Sequence, residues 1–508
     1  MSHKLKVFDV QRGGEISITQ QLVTHVAALI DSGELAPGER LPATRTLAAD
    51  AGINHLTAVR VYRRLAELGY VTAAVGRGTF VRQRVPAPAG ADPAPGRAGS
   101  DSDDWQLGML AVRPGSYADE MLRDSLHAPL AGDAIALGSG YPDPKLCPSA
   151  ELAALITEIT RENPRAITDY LRVEGLPELR ERLAELGREA GYATSADEIL
   201  VTTGARQAID LVARAVLGPG DVAVVESPTF AGALASLQAT GARVLPLPVD
   251  ADGVDIDALE RILARHEIKL VALQEACQNP TGADLSPARR ARLLELARTR
   301  GFFVLDDGVY ATLRFDGAPL QRMRAEAPSH VIYVDSLSKT IGGGLRIGWI
   351  AASGPVFARL VQLKIDSDIH TSALPQYLAA RYLRGDRHQT LLSKALPVYR
   401  ARRDALVAAL ERHLAHDATW IVPAGGNHIW VTLRDPIDER ALYVEALRAG
   451  TAFLPGGAVM AEKSSRTSMR LSFGLVEPQL LDEGVRRLAV ALREVRRRRR
   501  AGSTGALS

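Results

Sequence analysis

A chain of 508 residues is too long for one ordinary core, so two or more domains are expected. Its 46% hydrophobic and 24% charged residues describe a globular protein, and a net charge of +2 excludes a polycation. Cys147 and Cys277 are too few for a disulfide framework, no C-x-x-C pair offers a zinc site, and neither a signal core nor a membrane-length apolar run is evident, so a cytoplasmic protein without bound metal is expected.

Ser17–Ile30 has helical spacing, with Ile18, Leu22, Val26, Leu29 and Ile30 on one stripe. Leu35 to Pro42 is a turn-rich connector, and Ala43–Asp50 is a short second helix stopped by Gly52. Asn54 is a natural N-cap for a third helix, Leu56–Leu68, which carries Arg60, Arg63 and Arg64. Tyr70–Ala73 and Thr79–Val81 read as a hairpin turning at Val75-Gly76-Arg77-Gly78. Three short helices and a hairpin predict a winged helix-turn-helix, with the third helix in the DNA major groove. Residues 1–84 hold 11 Lys/Arg against 7 Asp/Glu, a local surplus of 4 that suits a phosphate backbone.

Val85–Asp104, rich in Pro, Ala and Gly, predicts a flexible tether, and Ser116–Leu130 has a helical pattern. The expected domains are residues 14–83, a linker and transition over 84–130, a large domain over 131–495, and a basic tail over 496–508. Arg496–Arg500 is a run of like charge expected to be disordered, with a solvated helix end as the alternative.

From Ile135 onward, apolar runs alternate with amphipathic helices. Ile199–Val201, Val222–Val225, Val244–Leu247, Leu270–Leu273, Phe302–Leu305 and Val331–Val334 read as strands. Helices over 176–190, 205–216, 230–239, 256–265, 287–299 and 372–383 separate them. The alternation predicts an α/β fold with a mostly parallel, doubly wound sheet, whose function sits at the strands' carboxyl ends. The distinctive residues fall there. Thr202-Thr203-Gly204-Ala205-Arg206 opens a helix, a natural phosphate site. Phe230 follows one strand and could stack on a flat ring; core packing is the plainer alternative. Asn279 follows another strand, and a third ends in Asp306-Asp307-Gly308-Val309-Tyr310. A carboxylate there could pair with a protonated ring nitrogen, and a tyrosine could reach a phenolic oxygen.

Ser336-Leu337-Ser338-Lys339 is followed by three glycines and Arg346. A sheltered lysine can act as a nucleophilic amine toward an aldehyde, and small hydroxyls with an arginine suit a phosphate ester. One short segment could thus hold both ends of an aldehyde-bearing phosphate cofactor. His428 reads as a packed or hydrogen-bonded residue rather than a catalyst.

Two resemblances sharpen this. The run Gly33-x-Leu35-x-x-Gly38-x-x-Leu41-Pro42-x-x-Arg45, then Thr57-x-x-Arg60-x-Tyr62, then Gly76-x-Gly78-Thr79-Phe80-Val81 resembles the GntR-superfamily DNA-binding domain. That resemblance implies DNA contacts from Arg45, from Asn54, His55, Thr57 and Arg60 around the recognition helix, and from the wing at Gly78. His55 stands where that family usually has arginine. The strand-end residues resemble the fold-type I, aspartate-aminotransferase-like family of pyridoxal-phosphate (PLP) enzymes, with a smaller C-terminal α/β part.

The second resemblance implies that Lys339 forms a Schiff base with the cofactor aldehyde and that Asp307 holds the pyridine nitrogen. Tyr310 and Asn279 would bind the phenolic oxygen, and Phe230 would stack on the ring. Gly204, Ala205, Arg206, Ser336, Ser338 and Arg346 would surround the phosphate. Tyr170 would reach the neighbouring subunit's phosphate in a head-to-tail homodimer, and Arg470 would grip a substrate carboxylate. The two halves together resemble MocR-type regulators. This implies a transcription regulator that senses PLP or an amine or amino acid by exchange at Lys339. A working aminotransferase with an autoregulatory DNA module is the alternative.

Overall fold

The computed structural model describes residues 18–31, 34–36, 38–51, 53–67, 70–74, 78–81, 134–192, 194–317, 320–462 and 464–504. The chain divides into two compact units between Arg113 and Pro114. The expected linker over 84–130, with its Ser116–Leu130 helix, lies outside the described residues.

In the first unit, α1 (Ile18–Asp31), α2 (Thr44–Asp50) and α3 (His55–Glu67) precede a hairpin of β1 (Val71–Ala74) and β2 (Gly78–Val81). This is the winged helix-turn-helix that the sequence predicts. Leu22 and Val26 from α1, Leu47 from α2, Ala58, Val61 and Leu65 from α3, and Val71 and Val81 from the wing form one core. Its apolar spacing of three and four along each helix is what brings these side chains to a single face. Tyr62 Oη donates to Pro42 O at 2.7 Å and fixes the connector against α3.

The second unit is built on an eight-stranded sheet among its described residues. Its strands are β3 (Ile199–Thr202), β4 (Val222–Ser227), β5 (Arg243–Asp250), β6 (Gly253–Val254), β7 (Leu270–Leu273), β8 (Phe303–Asp307), β9 (Val331–Ser336) and β10 (Gly348–Ala351). Their spatial order is β3-β10-β9-β8-β7-β4-β5-β6. The pairs β9/β8, β8/β7, β7/β4 and β4/β5 are parallel. β10 is antiparallel to both neighbours, and the short β6 folds back on β5.

Successive residues of a strand point to opposite faces, and both faces are covered. Ala223 and Val225 pack with Leu305 and Ile350 under α4 (Ala205–Val216), while Val224 and Val304 pack with Leu259 and Leu293 on the other side. This is why the strands read as unbroken apolar runs. A second, four-stranded antiparallel sheet has the order β11 (Ala418–Trp420), β12 (His428–Leu433), β14 (Ser468–Ser472), β13 (Leu454–Pro455). It buries one face with α5 (Arg387–Leu414), α6 (Glu439–Arg448) and α7 (Pro478–Thr504) to form the C-terminal subdomain.

The basic run corrects one expectation. Arg496–Arg500 is not disordered but continues α7, which runs to Thr504, in line with the alternative of a helix end. Carboxylates explain this. Glu494 pairs with Arg497 and Arg498 one turn on, Arg496 reaches Asp417 and Asp435, and Arg498 reaches Glu445. Arg496, Arg497 and Arg498 each find an opposite partner, which offsets the repulsion between their like charges. Among the described residues no helix is long and apolar enough to cross a membrane, and no cluster of His, Cys, Asp and Glu could hold a metal ion.

Candidate functional site

The parallel strands deliver their chemistry to one place. A cavity of about 270 Å³ opens at the carboxyl ends of β4, β7, β8 and β9. Ala205 and Arg206 enter it from the first turn of α4, Phe230 from the loop after β4, and Asn279 from the loop after β7. Asp307 and Tyr310 come from the end of β8, and Ser336, Ser338 and Lys339 from the end of β9. Arg346 comes from the turn before β10, and Arg470 from β14. Of the predicted cofactor and substrate residues, all these line one wall or another. Gly204 forms the turn behind Ala205, its φ of +88° and ψ of 164° setting the entry to α4.

Asp307 lies at the floor, buried. Gln274 Nε2 donates to its Oδ2 at 2.8 Å and the Val309 N–H to its Oδ1 at 3.4 Å. Burial pushes its carboxyl up to about 6, against the pull of those donors and of Lys339. It is therefore largely anionic at neutral pH. Gln274 also accepts from the Asn279 N–H at 2.6 Å, so one amide joins two loops. Sequence reasoning missed Gln274, because a lone Gln after a strand carries no motif. Neighbouring Glu226, fully buried, accepts from the Gln274 N–H and is pushed up to about 8 by burial, so it stays neutral and adds no second charge beside Asp307.

Arg470 Nη1 donates to Asn279 Oδ1 at 2.9 Å, and Nη2 donates to Gly138 O at 2.7 Å. The first contact fixes the amide so that Nδ2 of Asn279 remains as a donor. Arg470 Nε is buried without a partner among the described residues. Burial lowers Arg470 to about 10, and it remains cationic at neutral pH.

Lys339 Nζ donates to Gly140 O at 3.0 Å and lies 5.4 Å from the centre of the Tyr310 ring. Gly140 belongs to the segment Gly138–Tyr141, which the sequence reading left unassigned. That segment is held by the C-terminal subdomain: Asn427 Nδ2 donates to Gly140 O, and the Ser472 N–H donates to Leu137 O.

The phosphate end is equally specific. Arg346 adopts the left-handed region at φ 52°, and its Nη2 donates to Thr203 O at 3.0 Å. The first N–H groups of α4 have no intrahelical acceptors, and Ser336 Oγ already accepts from the Ser338 N–H. A Cβ on Gly204 would stand 2.5 Å from Arg346 Nη2. The φ and ψ of Gly204 also belong to a region that only glycine occupies without a cost of about 1–3 kcal/mol. Gly204→Ala should therefore displace the guanidinium. Loss of that charge-assisted contact is expected to weaken PLP binding by roughly 10–100-fold while leaving pyridoxal, which lacks the phosphate, nearly unchanged. Fluorescence titration with both ligands checks it.

These features fit pyridoxal phosphate: an amine, an anionic carboxylate, an aromatic cover, an amide donor and a phosphate cradle face one cavity of suitable size. Tyr170 is not in that cavity. Tyr170 is 79% exposed, and its ring meets His370 edge to face, 5.4 Å between centroids.

In the first unit, Asn54, His55 and Arg60 are exposed at and near the start of α3, and Thr57 is half-buried. His55 Nε2 lies 3.1 Å from Thr44 Oγ1, tying that end of α3 to α2. Arg45 sits on α2 and Gly78 opens β2.

Comparison with known proteins agrees with both halves. Residues 133–488 match the family described as aminotransferase class I and II, and residues 18–81 match bacterial regulatory proteins of the gntR family. Aromatic-amino-acid aminotransferase 1 of Thermococcus litoralis is 33% identical over 73% of this chain and 91% of its own length. The probable rhizopine catabolism regulatory protein MocR of Rhizobium meliloti is 27% identical, covering 95% of each chain. Among solved structures, the alpha-aminoadipate aminotransferase of Thermus thermophilus, complexed with N-(5'-phosphopyridoxyl)-L-leucine, superposes with a TM-score of 0.69 at 32% identity, over 75% of this chain and 97% of that one.

Proposed function

We infer the function from one premise: the chain belongs to the aminotransferase class I and II family and carries a gntR-family regulatory domain at its N-terminus. It has the build of MocR-type regulators, and it is a DNA-binding transcription regulator whose larger unit binds pyridoxal phosphate. The finer steps below are our proposal.

When bound, the cofactor supplies an aldehyde that condenses with amines and a ring that withdraws electrons. Lys339 is the amine that would hold it, and Asp307 would keep the ring nitrogen charged. Tyr310 and Asn279 would hold the phenolic oxygen, and Phe230 would cover the ring. Ala205, Arg206, Ser336, Ser338 and Arg346, with the turn at Gly204, would hold the phosphate. Arg470, which lines the cavity, would take the carboxylate of an incoming amino acid. The exposed Tyr170 would serve the partner subunit in a head-to-tail homodimer.

The observation that carries the sensing role is the contact from Lys339 Nζ to Gly140 O. It ties the large sheet to a segment that the C-terminal subdomain holds. An amine or amino acid that takes the place of Lys339 changes that tie, and with it the balance between open and closed forms of the unit. Two winged helices in a dimer would then be repositioned on paired DNA half-sites. Such a regulator acts where the DNA is, in the bacterial cytoplasm and on the nucleoid when bound. The test is a DNA titration with and without PLP and candidate amines. Equal affinity, footprint and bending in all arms would overturn the sensing role. Release of DNA by PLP alone would make PLP the signal.

A working aminotransferase is the second reading, favoured by one observation: Lys339, Asp307, Tyr310 and Arg470 meet in one cavity. Steady-state transamination across a panel of amino acids separates the two. Sustained turnover supports the enzyme, and a single half-reaction supports the sensor.

The carboxyl of Asp307 gives a pH prediction. Its value is raised to about 6, so it is neutral below that pH and anionic above it. Only the anion can hold a charged ring nitrogen. PLP affinity is therefore expected to fall by roughly tenfold per pH unit once pH drops below about 6. Asp307→Asn should bind weakly throughout and lose this limb, as absorbance titrations at a series of pH values would reveal.

A further inference from the structure

Two side chains at the junction of the large sheet and the C-terminal subdomain share one hydrogen bond. His428 Nε2 lies 3.0 Å from Tyr310 Oη, and the rings meet edge to face with centroids 5.1 Å apart. His428 begins β12, and Tyr310 follows β8, 118 residues away in sequence. His428 is 2% exposed. Its Nδ1 is buried and has no hydrogen-bond partner among the described residues. Burial, then the cations Arg470 on β14 and Lys339 after β9, hold it well below the ordinary imidazole range. The ring is neutral and carries a single N–H.

A neutral imidazole has two tautomers. With the proton on Nδ1, a buried N–H would find no acceptor, which costs the full desolvation of that group. With the proton on Nε2, the N–H donates to Tyr310 Oη, and only a lone pair on Nδ1 goes unused. Orphaned buried donors are rarer than under-used acceptors, so the Nε2–H form wins. Tyr310 Oη then accepts from His428 and must place its own proton elsewhere. Tyr310 lines the cavity beside Lys339.

We propose that His428 is a positioning residue that donates Nε2–H to Tyr310 Oη and so turns the tyrosine's proton into the cavity, toward the cofactor's phenolic oxygen. The inference rests on the cofactor-site reading above. It makes the C-terminal subdomain responsible for the hydrogen-bond direction of a residue on the large sheet, so movement of that subdomain changes what Tyr310 offers.

Two variants separate this role from packing. His428→Phe keeps ring volume and removes the donor; His428→Gln keeps an amide N–H at similar reach. Both, with wild type, Tyr310→Phe and the Tyr310→Phe/His428→Phe double variant, are titrated with PLP in the full-length protein. The readouts are binding affinity and the pH midpoint of the bound cofactor's visible absorbance, with circular dichroism and melting as the check on folding. His428→Leu stands in if the Phe variant melts early. His428→Phe is expected to bind roughly 5–10-fold more weakly, with a shifted pH midpoint. His428→Gln should stay within about 2–3-fold of wild type, and on the Tyr310→Phe background the loss should vanish. Wild-type behaviour of His428→Phe, equal losses in the Phe and Gln variants, or a loss that persists without the Tyr310 hydroxyl would each overturn the proposal. A wild-type protein that takes up no PLP would sink the cofactor reading and this inference with it; the other outcomes sink this inference alone.

Discussion

Lys339→Ala is expected to abolish covalent attachment of PLP. Borohydride treatment of the wild-type protein with PLP should fix the cofactor to Lys339, detectable as a mass increase on one peptide; the variant should show none. The cavity would remain, because Lys339 is only half-buried and its side chain donates to Gly140 O, a backbone carbonyl. Asp307, Arg346 and the first turn of α4 would still offer their contacts. PLP should then bind non-covalently, roughly 100-fold more weakly, with the spectrum of a free aldehyde. The variant should also lose any DNA response to added amines, since no lysine contact is left to displace. A visible spectrum matching wild type, or a borohydride-fixed cofactor in Lys339→Ala, would show that another amine carries the cofactor and would overturn the assignment.

The second large effect concerns stability. Arg402 and Asp143 form an ion pair at 2.6 Å with side chains only 3% and 5% exposed. Arg402 Nη1 also donates to Gly474 O at 2.8 Å, and Asp143 Oδ1 accepts from the Lys145 N–H. Together they pin α5 of the C-terminal subdomain to the stretch that follows Gly138–Tyr141. Arg402→Ala leaves a buried carboxylate without its cation, which is expected to cost about 3–5 kcal/mol. The double change Asp143→Ala/Arg402→Ala should cost clearly less than the sum of the two single changes, because it leaves no unpaired charge. Urea unfolding followed by tryptophan fluorescence reads this out, as Trp349, Trp420 and Trp430 all lie in the larger unit. Additive losses would show that the pair is not coupled. Arg402→Ala should also weaken PLP binding, since the stretch just after Gly138–Tyr141 would lose its tie to α5.

Much of the site is legible in the chain because a parallel sheet forces it to be. Each βα step ends a strand at the same edge, so residues just after apolar runs converge whatever the details. Asp307, Lys339, Asn279 and the turn at Gly204 were readable for that reason. Their chemistry also differs sharply from what a loop needs for itself. The winged helix was readable for another reason: its contacts span few residues, and caps and periodicity encode them locally.

The partners that complete these groups were not readable. Gln274 carries no motif and His428 reads only as a packed or hydrogen-bonded residue; each gains meaning from one partner, Asp307 in the first case and Tyr310 in the second. The Gly138–Tyr141 segment meets Arg470 from 332 residues away and Lys339 from 199 away. The antiparallel placement of β10 between β3 and β9 also escapes any local pattern, because an apolar run does not encode its direction.

The basic tail shows the same limit from the other side. Five arginines in a row suggest repulsion, yet Asp417, Asp435 and Glu445 wait on neighbouring elements. The sequence by itself determined the modules, the cofactor class and the residues at the strand ends, since period and strand-end chemistry are local properties. Only the tertiary structure decided which carbonyl Lys339 meets, which way Tyr310 donates and where the tail arginines pair. Those depend on partners hundreds of residues away, brought together by packing that no local pattern records.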